Sequence, residues 1–224
     1  MRFQDAARDG RAVVYAGIQA EPVVARAASL LADATPTQRL LARAVMNGES
    51  VEPLVWTTMF PGMFASDVND QIRIASEAIL AVSLEIAQRG DRVRDQLRGA
   101  IVEAVTAVLL ARRTGDGAVH RERRILFDGV PAEVHPYDVT VERHGSSEAY
   151  DCKWGARGIN ADVLHQLDDA RSHARDEEQQ LAVALVVFDA ELSCRVRLER
   201  QTAPWAETRL VTSESLDSLS VAAP

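Results

Sequence analysis

Apolar residues recur at helical spacing through most of the first ninety positions. From Val23 to Val45, Ala, Leu and Val mark one face, broken near Thr35-Pro36-Thr37. Thr35 is placed to cap a second helix with Pro36 in its first turn, and Asn47-Gly48 ends it. Pro53 to Phe64 is apolar without a clear period (Trp56, Met59, Phe60, Pro61, Phe64) and reads as a buried connection or a contact surface. A further helix is predicted from Ser66 or Asp67 to Gln88, stopped by Gly90.

After Gly90 the pattern changes. Val93 to Arg113 has Leu97, Ile101, Val105, Val108 and Leu109 on one side, as in an amphipathic helix. Val119 to Phe127 predicts a strand, and Asp128-Gly129 signals a hairpin. Ala132 to Val141 is a second strand, with Pro136 tolerated near an edge or bulge. His144-Gly145-Ser146-Ser147 turns the chain into a third, Glu148 to Trp154. Asn160 caps a helix running to about Glu178. Leu181 to Phe188 is continuously apolar, as expected of a strand buried on both faces. The intervening helix places it parallel to a neighbour. Cys194 to Leu198 alternates like one more strand. The Ser-rich remainder is expected to lie loosely on the surface. The order predicts an α/β domain over 91–200, a helical accessory or oligomerisation region over 1–90, and a loosely packed tail over 201–224.

Composition narrows the class. Of 224 residues, 47% are hydrophobic and 26% charged, the balance of a folded globular protein. No apolar run is long enough to span a bilayer, and the polar start argues against a secretion signal, so a cytoplasmic protein is expected. Cys152 and Cys194 suit neither a disulfide framework nor a zinc site and read as buried thiols. His135, His144, His165 and His173 do not cluster at ligand spacing and read as structural. The net charge of −8 argues against a broad DNA-gripping surface. Of 25 basic residues 24 are Arg, and Lys153 is the only lysine.

That lysine stands in Tyr150-Asp151-Cys152-Lys153-Trp154. Asp151 and Lys153, two apart in a strand, project from one face. Asp138 lies in the preceding strand, opposite Asp151 if the hairpin register aligns. Carboxylates in a run of strand formers are disfavoured unless something holds them. Two such acids can share a hard divalent cation, and an adjacent amine can orient or deprotonate a water or stabilise charge on a phosphate.

A helix with an acid, a strand with Asp, a strand with Asp-x-Lys, a helix and an apolar strand, in that order over about 93–198, resemble the PD-(D/E)XK, or restriction-endonuclease-like, nuclease superfamily. The proline expected just before the first Asp is displaced, as Pro136-Tyr137-Asp138. The resemblance implies a core of helix, three-stranded meander, helix and buried strand. It implies metal ligands at Asp138, Asp151 and Glu103, and a catalytic lysine at Lys153. It also suggests a polar helper at Gln166; Arg157 in the following loop could meet a substrate phosphate.

The expected activity is Mg²⁺-dependent phosphodiester hydrolysis, with Mn²⁺ as a substitute, on DNA, in restriction, phage defence or repair. The helical region is expected to form a homo-oligomer or bind a partner. The alternatives are a non-cleaving interaction module of the same fold and a phosphodiesterase acting on RNA or nucleotides. Each residue also has a bland reading: a solvated Lys153, acids paired with Arg (Arg98 for Glu103), solvent-facing Gln166 and Arg157, and Trp154 in the core.

Overall fold

The structure is a computed structural model that describes residues 1–6, 10–128, 130–131, 135–143 and 145–221. The hairpin position Gly129, the strand start at 132–134, the turn residue His144 and the last three residues lie outside the described residues. The chain forms two compact units, Met1–Asp9 with Thr106–Pro224, and Gly10–Val105. The boundary therefore falls inside a helix rather than near residue 90.

The Gly10–Val105 unit is helical: α1 (Gly10–Gln19), α2 (Pro22–Ala32), α3 (Pro36–Asn47), α4 (Pro53–Met59), α5 (Pro61–Phe64), α6 (Asp70–Ala87) and the first part of α7 (Asp91–Thr114). Proline at the first turn of α2 and α3 sets the backbone without sacrificing a helical hydrogen bond. Thr35 and Gln38 close a reciprocal cap at α3. Leu41, Val45, Trp56, Met63, Leu80 and Leu84 make one core. The apolar stretch after Pro53 thus divides: Trp56 and Met63 are buried, whereas Leu54 and Met59 are exposed.

The other unit is built on a mixed sheet. Its strands are β1 (Arg2–Asp5), β2 (Val119–Phe127), β3 (Val130–Pro131), β4 (Tyr137–Val141), β5 (Ser147–Lys153), β6 (Leu181–Val187) and β7 (Arg209–Thr212). The order is β1-β2-β4-β5-β6-β7, with β3 also paired to β2. β2, β4 and β5 are antiparallel, and β5, β6 and β7 are parallel. The return from β5 to β6 runs through α8 (Ala161–Asp176), capped by Asn160. Leu164 and Leu167 of α8 pack on Ala149, Val183, Leu185 and Val187.

Three expectations are corrected. Cys194 to Leu198 is not a strand but part of α9 (Glu191–Glu199). Its apparent alternation hides helical spacing: Cys194 and Leu198 are buried, while Leu192 and Val196 are exposed. The tail is not loose, because β7 joins the sheet and Leu216 and Leu219 are fully buried. The first ninety residues also supply β1, which pairs with β2. Short elements such as β1 and β7 hold through pairing and carry little pattern of their own. Among the described residues, no helix is long and apolar enough to cross a membrane.

Candidate functional site

β4 and β5 bring the two aspartates together. Val139 pairs with Tyr150, so the next step of the register sets Asp138 opposite Asp151. The ladder opens there, and Asp138 Oδ2 accepts the Cys152 backbone N–H at 2.6 Å. A side chain thus replaces the missing strand partner.

A twist produces this opening. Val119 and Arg121 line a hollow against Ala107, Val108 and Ala111 of α7. Ile125 and Phe127, of the same parity, pack instead with Leu164 and Leu167 of α8. A regular strand would point all four one way, so β2 inverts between them. Glu122 lies at the inversion with φ +53°. Arg121↔Val139 and Arg123↔Tyr137 bracket it without an inserted residue, which places Glu122 opposite Asp138. β4 inverts at the same level: Tyr137 joins the α8 core, whereas Val139 is paired to Tyr150, on the α7 side. A left-handed backbone at a non-glycine residue costs about 1–3 kcal/mol and persists only where surrounding structure imposes it.

Glu122 is the residue that sequence reasoning missed. One of its carboxylate oxygens lies within 4.8 Å of one of Asp138. The signal was present, since Glu122 is an acid inside a strand by the same criterion as Asp138 and Asp151. Its arginine neighbours at 121, 123 and 124 made it look like part of a solvated charged run.

Lys153 and Asp151 form an ion pair, with side chains 27% and 9% exposed. Apart from that ammonium, no hydrogen bond reaches the buried Asp151 Oδ1. Burial alone would lower the lysine pKa. Asp151 and then Asp138 outweigh it, and the amine is held well above its ordinary value, hence charged. Asp138, Asp151 and Lys153 line a cleft of about 600 Å³ together with His135, Asn160 and Gln166. The Gln166 side-chain amide donates to the His135 backbone carbonyl at 3.1 Å, and the Gln166 backbone carbonyl accepts from the Tyr137 hydroxyl at 3.2 Å. The donors offered to a cation are carboxylate oxygens, one of them buried and short of partners, which fits a hard divalent ion.

The remaining candidates lie on other elements. Glu103 belongs to the helical unit, on α7, and is 4% exposed. Tyr15 and Gln19 of α1 donate to its two oxygens, Gln19 at 2.7 Å. Gly99, one turn earlier, leaves room for the Tyr15 hydroxyl, which a Cβ would approach to 3.1 Å. Arg98 donates to Asp95, Asn47 and the Met46 carbonyl. Arg157 is exposed on the 3₁₀ turn Ala156–Gly158 and is not among the cleft-lining residues. Trp154 stacks on Phe188 with centroids 5.0 Å apart, and His173 on Phe127 at 5.4 Å. Both cysteines are buried thiols. Comparison with known proteins finds no matching family model, curated protein or solved structure.

Proposed function

We propose that the chain is a divalent-metal-dependent nuclease of the PD-(D/E)XK type that hydrolyses phosphodiester bonds in DNA. One observation carries the reading: Asp138, Asp151 and the only lysine of the chain converge on one cleft. Asp138 and Asp151 would hold Mg²⁺ or Mn²⁺, with Glu122 beside Asp138 as a further acid. A bound cation would polarise the phosphate and make a nearby water more acidic. Lys153, kept charged by its two carboxylates, would stabilise negative charge on the phosphate and orient the attacking water. Gln166, half-buried on the cleft wall, would hold a water or a phosphate oxygen.

The test is incubation of the protein with supercoiled plasmid, linear duplex, single strands and RNA, in Mg²⁺ or Mn²⁺ against EDTA. Plasmid nicking or linearisation that EDTA abolishes is expected. Cleavage of RNA alone would move the substrate from DNA to RNA. No cleavage of any substrate, with no thermal stabilisation by Mn²⁺, would overturn the enzyme reading in favour of a non-cleaving module.

A further inference from the structure

An ammonium on a four-carbon stem acts at one place only if the stem is held. Gly158 lies against that stem. A Cβ at Gly158 would stand 2.9 Å from Lys153 Cβ and 3.0 Å from Cγ and Cδ. Cβ and Cγ lie close to the backbone and cannot swing aside as a chain end does, so bare backbone at 158 packs where any side chain would collide. The turn that carries Gly158 is itself anchored. Asp189, just beyond β6 and 5% exposed, accepts the Ala156 N–H on Oδ2 at 3.0 Å and the Ala190 N–H on Oδ1 at 2.7 Å. Its carbonyl accepts the Ser213 hydroxyl at 2.9 Å and backbone N–H at 3.2 Å. On the far side of the turn, the carbonyl of the fully buried Ile159 accepts from Arg197 of α9 at 3.0 Å. The Lys153 carbonyl accepts the Phe188 N–H at 2.8 Å. The lysine is thus gripped at its backbone and along its stem, leaving the ammonium against Asp151.

We propose that Gly158 and Asp189 are positioning residues: Asp189 pins the 156–158 turn, and the side-chain-free backbone at Gly158 fixes the direction of the Lys153 amine. The proposal rests on the reading of Lys153 as the catalytic amine, although the grip can be measured without catalysis. Because the chain has one lysine, protein labelled with ¹³C,¹⁵N-lysine gives a single side-chain Cε/Nζ signal. Gly158→Ala and Asp189→Asn are each expected to shift or broaden that signal in a chain whose circular dichroism is unchanged. In the plasmid assay each is expected to lower kcat about tenfold or more, as displacement of a catalytic group by a fraction of an ångström does. KM and Mn²⁺ affinity stay within about twofold, because the carboxylates do not move. A folded Gly158→Ala protein with an unshifted lysine signal and unchanged kcat overturns the proposal. If Gly158→Ala fails to fold, the near-isosteric Asp189→Asn decides by the same two readouts. If the wild-type protein cleaves nothing, the nuclease reading fails, and the lysine signal alone then supports or overturns the positioning.

Discussion

β5 carries an acid on each of its two faces, met by a base from α7 on one face and from β5 itself on the other, and the pairs have opposite characters. On the α7 side, Arg113 donates to both oxygens of Glu148, at 2.8 and 2.9 Å, with side chains 6% and 17% exposed. Tyr150 adds its hydroxyl to the same carboxylate, and burial, then Glu148, holds that phenol well above its ordinary pKa. Both oxygens of Glu148 thus accept hydrogen bonds from within the protein. On the other side, among the described residues, Asp151 Oδ1 is met by the Lys153 ammonium and by no other hydrogen-bond donor, and both residues border the cleft. Burial does not separate the two pairs. Unused acceptor capacity beside an open volume does.

The most severe break in this contrast is Asp151→Asn. Losing one anionic ligand and the partner of Lys153 should lower kcat/KM for plasmid cleavage about 10³-fold, the upper range for removing one preorganised electrostatic group. Stabilisation by Mn²⁺ in a thermal melt should vanish with it, while the melting curve in EDTA stays close to wild type. Retained cleavage would show that this pair is as structural as its counterpart. The converse variant is Arg113→Met, which strands Glu148 in a buried position. Stability should fall by about 3 kcal/mol, as when one partner of a buried ion pair is removed, read as a lower urea midpoint. The activity of the folded fraction should be unchanged. A larger loss of activity than of stability would erase the distinction between the faces.

Much of this was legible in the residues. Asp151 and Lys153 stand two apart in one strand and share a face, and the β4–β5 register extended by one step sets Asp138 opposite Asp151. The Thr35 cap and the Asn160 cap were equally local and equally readable. Glu122 was legible as an acid inside a strand, but its place beside Asp138 was not, because that depends on a half-turn of β2 that no period encodes. α9 was misread because five residues of alternation satisfy a strand template before the helical i, i+4 pair Cys194 and Leu198 becomes apparent. β7 follows a stretch without pattern, and its partner β6 lies more than twenty residues upstream, a pairing that only tertiary structure creates.

Lys153→Arg sharpens the contrast by preserving charge. Arg113 shows what a guanidinium does against β5: its Nη2 donates to both oxygens of one carboxylate. The same group at 153 should clamp Asp151 in that manner and remove the acceptor on which the site depends. A loss of about 10²-fold in kcat is expected, within the range for a misplaced acid–base or charge-bearing group, with little change in the urea midpoint. Full activity in the Arg variant would make the solitary lysine a coincidence of composition.

Arg157→Ala is the mildest test, and it asks whether the cleft side of β5 extends to a substrate contact. Arg157 is exposed on the turn after Lys153, so its removal should leave stability unchanged. If the guanidinium meets a phosphate as DNA enters, the wild-type affinity should depend more steeply on salt than that of the variant. The slope of log Kd against log[salt] should drop by about one, with a uniform weakening across DNA sequences. KM should rise by about threefold to tenfold, equivalent to about 1 kcal/mol, and kcat should hold. Identical salt slopes would confine recognition to the cleft itself, where Gln166 and Asn160 are the uncharged polar side chains on the wall, and the charged surface beyond Lys153 would belong to folding and solubility alone.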